Sequence, residues 1–170
     1  MPDDVSPEQP PAPGFTHVDS AGAARMVDVS AKEVSVRTAT ATGRVLVSAD
    51  VVALLRGNGV PKGDAVAVAR IAGIQAAKRT PDLVPLCHPI AIHGVTVDLE
   101  VLDECVSITA VVRTADRTGV EMEALTCVAV AGLAMIDMVK AVDPGATITD
   151  VRVEEKTGGK TGLWRRDGDV

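Results

Sequence analysis

Aromatic side chains are almost absent from this sequence, which has one Phe (Phe15), one Trp (Trp164) and no Tyr among its 170 residues. Surfaces that bind single-stranded nucleic acid stack bases on aromatic rings and follow the phosphate backbone with positive charge. This chain has a net charge of -6, and its predicted strands contain no aromatic residue. We therefore expect no nucleic-acid binding, and an RNA-binding sheet is a remote alternative.

Cysteines and long apolar runs are also scarce. Cys87, Cys105 and Cys127 are widely spaced and form no Cys-x-x-Cys pair, so neither a disulfide framework nor a structural zinc site is indicated. A zinc site of Cys87, His88 and His93 is disfavoured because adjacent Cys and His rarely close on one tetrahedral ion. No stretch approaches the roughly 18 uncharged apolar residues of a membrane span, and no export signal is recognisable. These observations predict no membrane association and a cytoplasmic location.

The chain divides into one domain and two tails. Residues 1–14 are rich in proline and acidic side chains, a composition that predicts a disordered tail. Residues 15–164 are long enough to form one domain around a single core. Residues 165–170 are predicted to be a flexible C-terminal tail.

The first half of the domain predicts a strand followed by two helices. A Val- and Thr-rich stretch at 34–47 favours a strand, with Gly43 marking a bulge or a turn. Ser48 is placed to cap a short helix. Asp64 is placed to cap a longer helix, which is expected to stop before Pro81.

The second half predicts a hairpin, a long helix and a last strand. Apolar residues alternate over 94–102 and again over 105–114, which indicates two antiparallel strands. Residues 118–142 form a helical pattern that is apolar around its circumference and therefore buried, and 148–153 is a strand. The order predicts an α+β fold, a ferredoxin-like βαββαβ sandwich with an antiparallel sheet, helices on one face and an extra short helix.

A glycine loop at 156–162 is a candidate phosphate-binding segment. It offers flexible backbone amides between Lys156 and Lys160, an arrangement that suits phosphate oxygens. It is not a Walker A loop, because Glu154 stands where that motif needs glycine and too few residues follow for a helix. A solvated glycine turn is the plainer alternative.

Two further groups of residues are candidates for chemistry. His88 lies in a connection stiffened by prolines, where it either binds phosphate and moves protons or is a partly buried structural histidine. Asp137 and Lys140 lie three residues apart on one face of the long helix. They form either a surface ion pair of little energetic value or a partly buried Lys that acts as acid or base beside an orienting carboxylate.

Glu121 and Glu123 open the same long helix, where carboxylates are favoured by the helix dipole. Glu123 and Asp137 are fourteen residues apart, so on a straight helix they stand about 21 Å apart. If both serve catalysis, either the substrate is long or the two residues come from different subunits, and we favour the second. The spacing therefore predicts a site shared across a subunit interface.

These segments together resemble the cyclic pyranopterin monophosphate synthase family, the molybdenum cofactor biosynthesis protein C family. The resemblance runs from about Phe15 to Trp164. It is carried by MVDVS at 26–30, KGD at 62–64, ARIAGIQAAKRT at 69–80, PLCHP at 85–89, GVEMEALT at 119–126, DMVKAV at 137–142 and KTGGKTG at 156–162.

The resemblance implies a cytoplasmic lyase that converts a 3′,8-cyclised dihydro-GTP to cyclic pyranopterin monophosphate and pyrophosphate. It also implies a homohexamer, a trimer of dimers, with active sites at the subunit interfaces. No cofactor is implied, apart from a divalent ion that could accompany the triphosphate. The implied catalytic residues are Asp137, Lys140 and Lys62, and the implied substrate contacts are Leu86, Cys87, His88, Met122, Glu123, Lys156 and Arg25.

The rearrangement consists of proton transfers and a displacement without redox chemistry. We expect Lys140 and Lys62 to act as general acid and base, with Asp137 orienting Lys140 or exchanging protons itself. The alternative is a non-catalytic ferredoxin-like module whose cations sense a nucleotide polyphosphate. That alternative gives no reason for Asp137 and Lys140 in an apolar helix.

Overall fold

The computed structural model describes residues 17, 21–57, 64–160 and 162–167. These residues form a five-stranded sheet and four helices. In chain order the elements are β1 (Ser35–Leu46), α1 (Ala49–Arg56), α2 (Ala65–Ala77), α3 (Thr80–Leu83), β2 (Ile92–Val101), β3 (Cys105–Asp116), α4 (Glu121–Val139), β4 (Thr147–Thr157) and β5 (Trp164–Arg165).

The sheet is antiparallel throughout, and its strand order is β2-β3-β1-β4-β5. The first four strands have the order of a ferredoxin-like fold, with β1 paired to both β3 and β4. The predicted fold class is confirmed. Helix α1 is the extra short helix that the sequence predicted, and α3 is a further short helix that it did not predict.

Strand β1 carries the predicted irregularity at Gly43. Its pairing with β4 shifts register between Thr42 and Arg44, while its pairing with β3 stays regular. The side chains of Ala39, Ala41 and Val45 are fully buried on the face that carries the helices. The β1–β4 pairing therefore contains a bulge, while the β1–β3 pairing at the centre of the sheet stays in register.

The predicted helix caps at Ser48 and Asp64 are present. The Ser48 hydroxyl accepts from the Val51 amide at 3.5 Å, and the Asp64 carboxylate accepts from the Ala67 amide at 2.9 Å. Helix α2 ends at Ala77, and Pro81 occupies the first turn of the separate helix α3. Pro81 fits in the first turn of α3, because amide groups there have no hydrogen-bond partner within the helix. The same proline prevents α2 and α3 from forming one continuous helix.

Helix α4 is the core helix of the fold. It packs against α2 and against strands β1, β3 and β4, and its buried side chains include Cys127, Val128 and Met135. It is long and apolar enough to cross a membrane, with a mean hydropathy of 1.8, although no such stretch was expected from the sequence. A buried core helix meets the same criteria of length and composition, and half of this helix is buried inside the domain.

Gly73 allows α2 to approach α4 closely. A Cβ atom at this position would lie 3.0 Å from the Cys127 carbonyl oxygen and 3.2 Å from the Ala131 Cβ. Small residues on both helices make this crossing tight, which fits a composition with few large side chains. Any side chain at Gly73 would force the two helices apart.

The C-terminal part of the sheet is longer than the sequence predicted. Strand β4 continues to Thr157, so Lys156 lies in a strand and pairs with Ala39 rather than opening a loop. Strand β5 then adds Trp164 and Arg165 to the sheet, which places one aromatic residue on a strand and one residue of the predicted tail in the domain. The remaining division into domain and tails stays a prediction.

Candidate active site

A cleft of about 390 Å³ lies at the start of α4. Its walls come from the segment before β1, the loop after α3 and the first turn of α4. Five residues that the resemblance named as substrate contacts line it together, although they come from two separate parts of the chain. They are Leu86, Cys87, His88, Met122 and Glu123.

His88 joins two walls of this cleft. Its Nε2 atom lies 2.6 Å from the carbonyl oxygen of Val27, in the segment before β1. Because a carbonyl oxygen only accepts, Nε2 carries a proton and donates it. In the neutral ring Nδ1 is then the acceptor, so His88 can position a donor group of a ligand.

Glu123 is the most deeply buried charged residue of the described chain, with an exposure of 3%. Burial raises the pKa of its carboxyl group to about 7, its own backbone amide opposes this, and the nearby Glu121 charge adds to the rise. No described cation forms an ion pair with it. Glu123 can therefore hold or release a proton near neutral pH, which its place in the first helical turn did not indicate.

Cys87 faces the same environment. Burial raises the pKa of its thiol, and the charge of Glu123 raises it further. A thiol of this kind stays protonated and contributes as a weak donor and an apolar contact. The cleft therefore combines a neutral thiol, a histidine acceptor and a titratable carboxyl group.

A smaller groove of about 80 Å³ adjoins the cleft, and Gly119 and Glu121 line both. Lys156 reaches it from β4, and its Nζ atom lies 2.8 Å from a Glu121 carboxylate oxygen. Arg37 and Lys160 line the same groove, so three cations surround one carboxylate. Such a groove is suited to an anionic group of a ligand.

The glycine loop shapes this groove. Gly158 has a φ of +93°, and a Cβ atom there would lie 2.3 Å from the Val36 carbonyl oxygen. Only glycine fits both the backbone conformation and the close approach to β1. Arg37, which sequence reasoning did not select, is held beside the loop because its Nε donates to the Asp116 carbonyl oxygen at 3.0 Å.

Asp137 and Lys140 form an ion pair at the opposite end of α4. The Lys140 Nζ atom lies 2.7 Å from an Asp137 carboxylate oxygen. The side chains are 57% and 58% exposed, so the partial burial expected for a catalytic Lys is not provided by the single chain. With fourteen residues of helix between Asp137 and Glu123, the pair stands about 21 Å from the cleft.

Two other predicted site residues are not among the described residues that line the cleft. Lys62 lies outside the described residues. Arg25 is exposed, and its backbone carbonyl and amide contact His17, which does line the cleft. The Arg25 side chain is not among the lining groups, so its predicted ligand contact stays a prediction.

Metal ligands do not cluster in the part of the chain that the structure describes. No group of three or more His, Cys, Asp or Glu side chains there is placed to hold an ion. His93, one of the three residues considered for zinc, accepts a hydrogen bond from the Ala115 amide at 3.3 Å through Nδ1. This contact belongs to the β2–β3 pair.

Several lining residues were not identified from the sequence. Lys32 and Thr118 line the cleft, and Glu121 joins the cleft to the groove, although the sequence suggested only a dipole-favoured carboxylate. Nothing in their local pattern distinguishes them from surface residues. They come together because β1 and α4 begin, and β3 ends, at the same edge of the domain.

The fold and the cleft define a ferredoxin-like domain with a ligand-binding cleft at the start of its core helix. The MoaC family model matches residues 26–159. The chain is 70% identical over 158 residues to a Streptomyces coelicolor protein named cyclic pyranopterin monophosphate synthase, covering 93% of each chain. It is 58% identical over 152 residues to cyclic pyranopterin monophosphate synthase 2 of Mycobacterium tuberculosis, covering 89% of this chain and 91% of the relative. This chain belongs to the MoaC family.

Proposed function

We propose that this protein is a lyase of molybdenum cofactor biosynthesis. It converts (8S)-3′,8-cyclo-7,8-dihydroguanosine 5′-triphosphate to cyclic pyranopterin monophosphate and pyrophosphate. The observation that carries this proposal is the 70% identity, over 93% of both chains, to a relative that is named for the product. The cleft supports it, because five residues expected to contact the substrate share one cavity.

Substrate binding divides between the cleft and the adjoining groove. The purine-derived ring enters the cleft beside Glu123 and His88, where polar groups face an otherwise buried surface. The triphosphate extends into the groove, where Arg37, Lys156 and Lys160 offset its charge. Lys156 exchanges its contact with Glu121 for a phosphate oxygen when the ligand is present.

The reaction requires proton transfers at the ring system and attack of a sugar hydroxyl on the innermost phosphate. Lys140 and Lys62 act as general acid and base, and Asp137 orients Lys140 through their 2.7 Å contact or exchanges protons itself. Each such group contributes roughly 10²- to 10⁴-fold to the rate. The conversion involves no redox step and needs no redox cofactor, while a divalent ion that accompanies the triphosphate is compatible with it.

The active site is completed by a second copy of the chain. The outer surface of the helix layer exposes apolar side chains, among them Leu133 on α4 and Val68 and Ile71 on α2. Leu133 lies one turn before Asp137 on α4, so the exposed apolar surface leads to the ion pair. Exposed apolar side chains on two helices that pack together are typical of an interface. A second copy that covers it would bury Lys140 and bring it to a neighbouring cleft.

This arrangement is consistent with a homohexamer built as a trimer of dimers, with each site at an interface. The expected partners are the cyclised nucleotide and other copies of the chain, with no nucleic acid and no membrane. The proposed location is the cytoplasm, where the guanosine nucleotide precursor and reduced thiols are found. Cys87, Cys105 and Cys127 are all free thiols, in keeping with that location.

The test is to incubate the purified full-length protein with the cyclised dihydro-GTP and to quantify pyrophosphate and the cyclic phosphate product together. Lys140→Ala is the inactive comparison. Arg44→Ala is the matched control, because Arg44 is an exposed cation on the sheet face away from the helices. Product from the parent and from Arg44→Ala, with none from Lys140→Ala, supports the lyase. Tight binding without product would favour a nucleotide-sensing module, and no binding would overturn the proposal.

A further inference from the structure

Glu123 is a carboxyl group enclosed in the cleft with no ion-pair partner among the described residues. The residue is 3% exposed. Lys156, which lines the adjoining groove, is paired with Glu121 at 2.8 Å. The titratable or charged groups that line the cleft with Glu123 are Glu121 from the same helix, Cys87 and His88 from the loop after α3, and His17 and Lys32 from the segment before β1.

This enclosure favours the neutral form of the free carboxyl group. Ionisation in a buried position loses hydration, and no described ion pair replaces that hydration. Glu121 adds a second negative charge on the same helical turn. The pKa of about 7 for Glu123, caused first by burial and then increased by Glu121, agrees with this geometry.

The ring of the proposed substrate favours the ionised form of the Glu123 carboxyl group. A guanine-derived ring presents a ring N–H and an adjacent amino N–H on one edge, which are two parallel donors. An ionised carboxylate accepts both donors at once, whereas a neutral carboxyl group directs its own O–H toward one of them. A ligand with this donor pair therefore binds the ionised form of Glu123 selectively.

We propose that Glu123 releases its proton when the donor pair of the substrate ring enters the cleft, so that substrate binding is coupled to proton release. This inference rests on the proposed function, since it takes the ring chemistry from the substrate named there. The released proton passes to solvent, and no covalent bond of the substrate changes in this step. The enclosed carboxyl group thus distinguishes a ring with two adjacent donors from one without them.

Binding through Glu123 weakens as the pH falls, because its neutral form must first ionise. The contribution of Glu123 is measured as the difference between two proteins that differ only at this residue and share every other titratable group.

The experiment is calorimetric titration of full-length Lys140→Ala with the cyclised dihydro-GTP, which this variant is expected to bind without turning it over. Titrations at pH 7 in two buffers of different ionisation enthalpy give the number of protons released per site. The second protein is Lys140→Ala with Glu123→Gln. We expect about half a proton more from the first protein, and an affinity ratio between the two proteins that falls about tenfold from pH 8 to pH 6.

The matched control is Lys140→Ala with Glu100→Gln, which removes an exposed carboxylate on strand β2. It is expected to release as many protons as Lys140→Ala alone. An infrared difference spectrum of Lys140→Ala gives a readout that needs no second folded variant: the band of a neutral carboxyl group is lost when the ligand binds.

The outcomes separate the two proposals. Equal proton release with and without Glu123, or a neutral carboxyl band that persists in the complex, would overturn this inference and leave the lyase standing. No binding at any pH would overturn the proposed function and this inference with it. Greater release from the protein that retains Glu123, together with loss of the band, would support the coupling.

Discussion

The two ends of helix α4 differ in how completely a single chain encloses the functional side chains. At the first turn, Glu123 is almost fully enclosed in a cleft with Cys87 and His88, and its pKa is raised to about 7. At the last turn, Asp137 and Lys140 contact each other at 2.7 Å but are both more than half exposed. The Glu123 end is therefore enclosed within a single chain. The Asp137–Lys140 end would need to be covered by another surface before burial could change the proton affinity of Lys140.

Lys140→Ala should have the largest effect on activity and almost none on stability. We expect turnover to fall by roughly 10²- to 10⁴-fold, as for loss of a general acid or base. The free energy of unfolding should change by less than about 1 kcal/mol, because an exposed ion pair contributes little. Product formation and urea unfolding measure the two effects, and unchanged turnover with Arg44→Ala as control would contradict the role given to Lys140.

Glu123→Gln should reveal the buried carboxyl group through the pH dependence of stability. The carboxyl pKa is about 7 in the folded chain against an ordinary value of 4.5. Between these values the folded chain binds more protons than the unfolded chain, so its stability falls as the pH rises and levels off above pH 7. The ionised form costs up to about 3 kcal/mol, and Gln removes this cost.

Urea unfolding at pH 5, 6, 7 and 8 measures this effect. The stability difference between Glu123→Gln and the parent should increase toward pH 8. Glu100→Gln, which removes an exposed carboxylate on strand β2, serves as the comparison and should follow the parent profile over this range. A parallel pH profile for Glu123→Gln and the parent would mean that Glu123 is already ionised in the free protein.

Gly73→Ala on α2 should disturb the packing of α4 near its midpoint, so both ends of α4 should be affected equally. The new methyl group would lie 3.0 Å from the Cys127 carbonyl oxygen, and backbone cannot move aside as a flexible side chain does. We expect a loss of about 1–3 kcal/mol in unfolding free energy, typical of overpacking. Gly94→Ala is the control, since its Cβ would meet only the Arg113 Cβ at 3.9 Å. Thermal unfolding of both variants tests this, and equal midpoints would contradict the tight crossing.

Glu121→Gln should have the smallest effect on stability. Its contact with Lys156 is partly exposed, so its loss should change the unfolding free energy by less than about 1 kcal/mol. Removing this charge should also lower the pKa of Glu123, because Glu121 raises it. Titration of the Glu123 carboxyl signal by nuclear magnetic resonance would show the direction, and a higher pKa in the variant would be inconsistent with the cleft electrostatics.

The order of elements was predictable because local signals and topology agree. Ser48 and Asp64 cap helices as expected, and the bulge lies at Gly43. Helix α4 is shorter at both ends than the predicted 118–142, since Val120 provides no side-chain cap and Lys140 ends the helix. Propensity places a helix, but packing against the sheet determines where it starts and stops.

The site was predictable only in part. The family resemblance implied that Leu86 to His88 and Met122 to Glu123 contact the substrate, and these residues do share a cleft. The burial of Glu123 could not be read from its position in a first helical turn, because enclosure depends on the loop after α3 and the segment before β1. The local sequence around Arg37 did not indicate a site residue either, because its position depends on tertiary contacts. Arg37 reaches the groove only because β1 pairs with β4.

The most direct test of the account is complementation between two inactive variants, which asks whether the two ends of α4 meet in different copies. His88→Ala damages the cleft, Lys140→Ala damages the ion pair, and each alone should lose at least about 100-fold in turnover. Co-expressed in equal amounts, they should recover about a quarter of the parent activity, because one site in four then combines an intact cleft with an intact Lys140 from another copy. Activity no higher than that of the separate variants would place both groups in one chain and contradict the shared site.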